Sequence, residues 1–222
     1  MTTSSTTLWD WTDQIDPAHT ALVMIDLQND FAHPDGWVAK QQVPGFLGDS
    51  GIKSALERAR ELLDAARAAD VLRVFVRMIG DDRYLSGPLR ALYRRNHGHE
   101  RSPCVAEGTW GAEWCDGLGP DGSDRELRVD KHRYSAFIGT RLDLLLRSHG
   151  VQTVVVCGVA TSGCVESTIR DAFMLDYYVV VPADACGDYE QARHDASLSK
   201  VGLSFGEVVD VDRIASRWAA AA

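Results

Sequence analysis

The chain has 222 residues, of which 45% are hydrophobic and 25% charged, and this composition is typical of a folded globular protein rather than a disordered one. Its 23 Lys and Arg residues against 32 Asp and Glu residues give a formal net charge of −9, which disfavours nucleic acid as a partner. No apolar run approaches the roughly 20 residues of a membrane-spanning helix, so we expect no membrane partner either.

Short apolar, β-branched runs alternate along the chain with longer segments of helical periodicity. A Ser- and Thr-rich tail is predicted for residues 1–19, followed by one domain over residues 20–222. The predicted strands cover residues 20–25, 71–76, 126–129, 151–157, 177–181 and 207–209. The predicted helices cover residues 52–69, 141–148, 164–175 and 190–201. Because buried strands with helices between them form parallel sheets covered on both faces, we predict an α/β fold: a single three-layer α/β/α domain with a mostly parallel sheet of about six strands.

One segment interrupts this alternation. Residues 78–125 are polar and rich in Gly, Arg and Trp. Loops of that length in a compact domain usually act as lids, binding loops or oligomer contacts, so we predict a long loop or lid here. Its arginines either bind an anionic substrate tail or form subunit salt bridges and solvated surface; they are Arg90, Arg94, Arg95 and Arg101.

The five cysteines are scattered and odd in number, which argues against a disulfide framework and favours a reducing cytoplasm. Cys157 lies inside the most apolar predicted strand and is interpreted as a core residue. Cys104 and Cys115 are interpreted as loop thiols, and the sequence assigns no role to Cys186. The remaining thiol, Cys164, follows a glycine-containing turn at the start of a predicted helix.

Three side chains fall at the carboxyl ends of predicted strands. Asp26 follows the first strand, Lys131 the third, and Cys164 the fourth after a short turn. In open α/β sheets ligands bind at this edge, so we expect the carboxylate, the ammonium and the thiol to lie close together. Taken singly, each has a common alternative, namely a turn-capping Asp, a solvated Lys and a core Cys. Their shared edge is the observation that favours a site.

These groups are the parts needed for acyl transfer to a thiol. The helix N-terminus and Lys131 are expected to favour the Cys164 thiolate, which is the nucleophilic form. Asp26 would take the thiol proton and return it to a leaving nitrogen. Backbone N–H groups of residues 160–164 would receive the developing oxyanion.

In three places the sequence resembles the isochorismatase-like cysteine hydrolases. The matching stretches are ALVMIDLQNDF (residues 21–31), VDKHRYSAF (129–137) and VVVCGVATSGCVESTIRDA (154–172). The resemblance extends over about residues 20–184, and three separated motifs in the right order make it specific.

This resemblance implies roles for individual residues. Asp26, Lys131 and Cys164 match the family's Asp-Lys-Cys triad, which implies a thioester acyl-enzyme that water hydrolyses. It also implies a cis peptide bond between Val159 and Ala160, with the N–H groups of Ala160 and Cys164 forming an oxyanion hole. A homo-oligomer is implied as well.

Differences from the family's patterns narrow the expected chemistry. Isochorismatases proper resemble this fold but lack the nucleophilic cysteine, so Cys164 argues against vinyl-ether hydrolysis. Residues 76–80 lack the Asp-x-His pair with which many nicotinamidases bind a metal, so we predict no metal and no other cofactor. Residues 104–112 and 131–137 look closer to the carbamoyl and ureido amidases.

We therefore predict a cysteine-dependent, metal-independent amidohydrolase that cleaves a C–N bond of a small ureido, carbamoyl or simple amide substrate. Phe31 and Tyr134 follow triad residues closely and Trp110 lies in the long loop; these residues and Thr161 are predicted substrate contacts. Two alternatives stay open. One is hydrolysis of a cyclic or larger amide in specialised metabolism, and the other is a noncatalytic oligomeric binding protein of the same fold.

Overall fold

The computed structural model describes residues 7–41 and 51–221. The strands are β1 (Thr20–Ile25), β2 (Leu72–Met78), β3 (Glu126–Lys131), β4 (Thr153–Val159), β5 (Tyr178–Pro182), β6 (Cys186–Gly187) and β7 (Glu207–Val209). They form a seven-stranded sheet in the order β3-β2-β1-β4-β5-β7, with β6 paired to β4. Each of these pairs is parallel.

Helices flank this sheet. In the described part of the chain they are α1 (Trp11–Gln14), α2 (Asn29–Ala32), α3 (Trp37–Lys40), α4 (Ile52–Ala68), α5 (Gly87–His97), α6 (Leu142–Ser148), α7 (Glu166–Met174), α8 (Gln191–Ser204) and α9 (Val211–Ala219). A π-helical turn, Thr161–Val165, leads into α7. Helix α4 packs against α9, and α7 packs against α8. The predicted single-domain α/β architecture is confirmed, with one more strand than expected.

Burial explains why these segments adopt their structures. Every residue of the central strands β1 and β4 is buried, as expected for apolar, β-branched parallel strands that helices cover on both faces. Helix α4 buries one face, whose residues recur at helical spacing: Ile52, Ala55, Leu56, Ala59, Leu62, Leu63 and Ala66. None of the helices within residues 7–41 and 51–221 is both long and apolar enough to cross a membrane.

The N-terminal segment packs on the domain. Ile15 is fully buried, and its carbonyl accepts a hydrogen bond of 2.9 Å from the indole Nε1 of Trp218 in α9. Arg217 donates to the carbonyl of Thr12 at 2.9 Å. The described part of the predicted tail is therefore fastened to the C-terminal helix, while residues 1–6 lie outside the described residues.

Among the described residues, five helices were missing from the sequence prediction: the four-residue α1, α2 and α3, and the longer α5 and α9. Helix α5 lies inside the 78–125 segment, begins with a Pro in its first turn and ends at Gly98, whose φ of 78° is left-handed. None of its residues is buried, and its apolar face is limited to a few half-buried residues, Leu89, Leu92 and Tyr93, which do not stand out within a polar segment. Helix α9 is short, but it buries Val211, Ile214 and Trp218.

Candidate active site

Asp26, Lys131 and Cys164 meet at the carboxyl edge of the sheet. Asp26 directly follows β1, Lys131 is the last residue of β3, and Cys164 lies in the π-helical turn after β4. The Lys131 Nζ lies 2.6 Å from Asp26 Oδ2 and donates to Cys164 Sγ at 3.2 Å. Lys131 also donates to the carbonyl of Arg133 at 3.2 Å. Since β2 lies between β1 and β3, the lysine side chain spans a neighbouring strand to reach the carboxylate.

Burial dominates the electrostatics of these groups. Asp26 and Lys131 are almost completely buried. Burial raises the pKa of Asp26, and the positive charge of Lys131 only partly offsets this. Burial alone would lower the pKa of Lys131, but the charge of Asp26 and the hydrogen bonds to Asp26 and Cys164 outweigh it and raise that pKa. The lysine therefore stays positively charged although it has no contact with solvent.

The Cys164 thiol is protonated in this environment. Burial, followed by the negative charge of Asp26, raises its pKa to about 12, against the opposing effect of Lys131. Lys131 acts in the expected direction and favours the thiolate, but the loss of solvation and the nearby carboxylate outweigh it, so the net shift favours the thiol. These shifts favour a neutral thiol beside the Asp26–Lys131 pair, whose Oδ2 and Nζ atoms lie 2.6 Å apart.

The turn after β1 is built around Asp26 and Gln28. Asp26 has a left-handed φ of 52°, a conformation that is costly for a residue with a side chain and is found mostly at functional sites. The buried Gln28 side chain donates to the carbonyls of Met78 (2.9 Å) and Ala112 (2.8 Å) and accepts from the Met78 N–H (2.8 Å). Gln28 thereby ties the turn to the end of β2 and to the 78–125 segment.

The next two residues fasten that segment over the site. Asp30 accepts the N–H of Val105 at 2.7 Å through Oδ2, and Asn29 donates to the carbonyl of Trp110 at 2.9 Å. A Cβ at Gly111 would lie 2.1 Å from Asp30 Oδ2, so only glycine fits against this carboxylate. Gln28, Asn29 and Asp30 lie within the first matching stretch of the sequence, residues 21–31, but the sequence alone did not predict these contacts.

The turn that carries Cys164 is fixed by hydrogen bonds to the segment after β6 and to α8. The peptide bond between Val159 and Ala160 is cis. The Ser162 N–H donates to Asp188 Oδ2 at 2.7 Å, and the Thr161 hydroxyl and His194 Nδ1 hydrogen-bond at 2.9 Å. Burial lowers the pKa of His194, which favours its neutral form.

Close approach of β1 and β4 fixes the strand end before this turn. Gly158 has a φ of 126°, and a Cβ there would lie 2.0 Å from the carbonyl oxygen of Ile25. A glycine is therefore required where the end of β4 passes the end of β1.

A cavity of about 320 Å³ opens above Cys164. Phe31 and Tyr134 line it together with Asp26 and Cys164. Trp110 and Thr161, the other predicted substrate contacts, are not among the lining residues.

Their positions have a physical reason. Trp110 is half exposed and packs edge-on against His33, with 5.1 Å between the ring centroids. Thr161 is buried beneath the turn, where its hydroxyl is engaged by His194. Trp110 contributes a backbone acceptor and Thr161 a support for the turn.

The remaining thiols fall into two groups. Cys157 is fully buried in the core, which confirms its interpretation, and Cys115 and Cys186 are buried as well. Cys104 is half-buried and lines the cavity; burial raises its pKa to about 12. Among the described residues, no three His, Cys, Asp or Glu side chains are grouped so that they could hold a metal ion.

Comparisons with known proteins agree with this fold. The family model of the isochorismatase domain matches residues 20–213. The chain is 33% identical over 217 residues to the ureidoacrylate amidohydrolase RutB of Serratia proteamaculans, covering 92% of this chain and 84% of that protein. It is 35% identical over 208 residues to RutB of Methylobacterium radiotolerans, covering 89% of this chain and 78% of that protein.

Solved structures give the same result. A cysteine hydrolase from Pseudomonas syringae pv. phaseolicola matches with a TM-score of 0.79 at 29% identity, covering 94% of this chain and 96% of that chain. N-carbamoylsarcosine amidase from Thermoplasma acidophilum matches with a TM-score of 0.67 at 27% identity, covering 87% of this chain and 97% of that chain. The chain therefore belongs to the isochorismatase family and is an amidohydrolase, an enzyme that hydrolyses carbon–nitrogen bonds other than peptide bonds.

Proposed function

We propose that this amidohydrolase uses Cys164 as its nucleophile and cleaves a small ureido, carbamoyl or simple amide substrate through a thioester. The observation that carries the proposal is the position of Lys131 Nζ, 2.6 Å from Asp26 Oδ2 and 3.2 Å from Cys164 Sγ. A carboxylate, an ammonium and a thiol in contact below a cavity can move a proton and form a covalent intermediate in one place.

The raised pKa values of Asp26 and Cys164 suit this chemistry. The proton stays on the thiol until a substrate carbonyl arrives, and Asp26 is basic enough to take it as sulfur attacks. Lys131 remains charged and stabilises the negative charge that passes between the two groups. The N–H groups of Ala160 and Cys164 are proposed to receive the oxyanion.

Collapse of the tetrahedral intermediate breaks the C–N bond. Asp26 returns the proton to the leaving nitrogen, which departs as ammonia or an amine, and the acyl group stays on Cys164. A water molecule then gives its proton to Asp26, attacks the thioester carbon and releases the acid. Asp26 finally returns that proton to the thiolate, which restores the resting state.

The names of the relatives support the substrate class. Ureidoacrylate amidohydrolases and an N-carbamoylsarcosine amidase are similar to this chain over most of its length. Both names describe a C–N bond next to a urea-type carbonyl, and we propose the same bond type here. A cytoplasmic homo-oligomer is also proposed; free cysteines and the exposed Met174 and Leu203 side chains support it.

The Cys164→Ala variant tests the nucleophile. We expect ammonia release from N-carbamoyl compounds to fall to background, and we expect a mass increase on Cys164 when wild-type enzyme is quenched during turnover. Cys115→Ala is the matched control, because Cys115 is buried away from the cavity and should keep its turnover. Undiminished hydrolysis by folded Cys164→Ala, judged by circular dichroism, would contradict the proposal.

A further inference from the structure

Aromatic rings form much of the wall of the cavity above Cys164. They come from α2, α3 and α5 and from the loops after β3 and β6, and they are Phe31, Trp37, Tyr93, His97, Tyr134 and Tyr189. Aliphatic and thioether side chains fill spaces between them, including Val38, Met78 and Val105. The wall is therefore mainly apolar and ring-lined.

These rings support one another. Trp37 and His97 pack edge-on with 5.2 Å between their centroids, and Tyr93 lies 6.1 Å from His97. Tyr93 and His97 are four residues apart in α5, so they project from one side of the helix. The Tyr189 hydroxyl donates to the carbonyl of Phe31 at 3.3 Å. The rings thus form two connected groups, one of Trp37, His97 and Tyr93 and one of Phe31 and Tyr189.

The charged groups of this cavity have partners. Asp26 is paired with Lys131 at 2.6 Å. Asp188 accepts the N–H groups of Ser162 and Tyr189, each at 2.7 Å. Arg193, whose side chain is 64% exposed, is paired with Glu190 at 2.8 Å.

The wall offers little to an anion. Arg193 is the one Arg or Lys among the described lining residues, and it lies at the solvent side. The arginines considered from the sequence, Arg90, Arg94, Arg95 and Arg101, do not line the cavity. A carboxylate carried into the cavity would lose its water and meet apolar rings and the buried Asp188, which is unfavourable.

We infer that the substrate carries a planar, apolar aryl group beside its scissile ureido or amide carbonyl. This inference rests on the proposed function and names its substrate class. An aryl ring bound in the cavity would bury apolar area and make edge-to-face or offset contacts with the aromatic walls. In this binding mode the aryl group lies against Trp37, Tyr93 and His97, and the scissile carbonyl lies over Cys164.

For an arylmethyl urea the bonds and protons balance without any co-reactant except water. The sulfur of Cys164 bonds to the urea carbon, the C–NH2 bond breaks, and ammonia leaves with the proton that Asp26 took from the thiol. Water then cleaves the S–C bond and leaves a carbamic acid, which loses carbon dioxide to give the arylmethylamine. The products to measure are ammonia and that amine.

Three ureas that differ in one group test the inference: benzylurea, cyclohexylmethylurea and 3-ureidopropionate. Calorimetric titration of the Cys164→Ala variant measures their binding without turnover, and wild-type kcat/KM is measured in parallel. We expect benzylurea to be preferred at least about tenfold over the carboxylate and about threefold over the saturated ring, since aromatic pairing adds a modest amount beyond area.

Two variants test whether the aromatic wall causes the preference for benzylurea. Trp37→Leu and Tyr93→Leu change different elements of the wall, and each should reduce this preference severalfold. Trp9→Leu is the control: this ring is 86% exposed, and its replacement should leave the preference unchanged. Equal or tighter binding of 3-ureidopropionate would overturn the inference, and its turnover on Cys164 would leave the proposed function intact. Ring preference in binding without turnover of any urea would support the inference and contradict the proposed function.

Discussion

The floor and the wall of the cavity are held in different ways. The floor consists of Asp26, Lys131 and Cys164 at the ends of strands whose ladder is fully buried at its centre. The wall includes the 78–125 segment, whose helix α5 buries none of its residues. The later part of this segment is anchored by side chains after β1 and by buried residues of its own, including Val105, Ala112 and Leu118. The proposed chemistry would therefore rest on the buried sheet, and the proposed substrate selection would rest in part on the exposed helix α5, which can vary without disturbing the triad.

Removing the ammonium should damage the floor most. Lys131→Met leaves the buried Asp26 carboxylate without its partner at 2.6 Å, and breaking a buried pair from one side costs about 3–5 kcal/mol. We expect turnover to be lost and the free energy of unfolding, measured with urea, to fall by about that amount. The double variant Asp26→Asn/Lys131→Met should regain most of the stability and none of the activity. Equal stability of the single and double variants would show that the pair is not coupled.

Removing the carboxylate should separate turnover from thiol reactivity. Asp26→Asn removes the proposed general acid and base, so we expect kcat to fall by about 10²–10⁴-fold. It also removes a negative charge that helps to raise the pKa of Cys164 to about 12, so Lys131 then lowers that pKa. Each unit of decrease raises the thiolate fraction at neutral pH about tenfold.

Alkylation by iodoacetamide between pH 6 and 10 measures this change. In the wild type the rate at Cys164 should rise with pH across the whole range without a plateau, because a group with a raised pKa stays protonated. In Asp26→Asn the curve should shift to lower pH although turnover is lost. A wild-type plateau below pH 8 would contradict the neutral resting thiol.

A smaller effect is expected where the Cys164 turn is supported. The Asp188 carboxylate accepts hydrogen bonds from the N–H groups of Ser162 and Tyr189. Asp188→Asn keeps one acceptor oxygen but places an amide NH2, which cannot accept, against one of these two N–H groups. We expect kcat to fall about tenfold through misplacement of the turn. Ser197→Ala is the matched control, since Ser197 donates to Glu166 in α7 and does not contact the turn.

The measurements must distinguish misplacement of the Cys164 turn from a general loss of folding stability. Asp188→Asn should change the rate of Cys164 alkylation and kcat together, whereas Ser197→Ala should lower only the melting temperature. If the two variants lose stability equally and neither changes kcat or the alkylation rate, Asp188 supports the fold and does not position the turn.

The same contrast explains what the sequence could predict. The ends of parallel strands share an edge, so Asp26, Lys131 and Cys164 could be assigned to one place from periodicity alone. Their distances could not, because the contact depends on how far the Lys131 side chain extends across β2. The pKa of Cys164 also depends on burial, which a position at a helix start does not reveal.

The wall was less predictable because its contacts are tertiary. Trp110 lies in the expected segment, but its carbonyl is held by Asn29 and its ring packs on His33, outside the cavity lining. Tyr93 and His97 reach the cavity from a helix whose polar sequence resembled a loop. Thr161 is engaged by His194, a residue in another helix that no local pattern connects to it.

Loosening the wall should have the smallest effect and should appear in KM. Asp30→Ala removes the acceptor of the Val105 N–H (2.7 Å) and the packing against Gly111, while the triad contacts stay in place. We expect KM for a ureido substrate to rise about three- to tenfold with kcat within about twofold, because a wall contact that is equal in ground and transition states affects binding alone. Asp35→Ala, at a side chain that is 82% exposed, is the matched control and should change neither constant. A fall in kcat equal to the loss in kcat/KM would mean that the wall takes part in the chemical step, and the division between floor and wall would not hold.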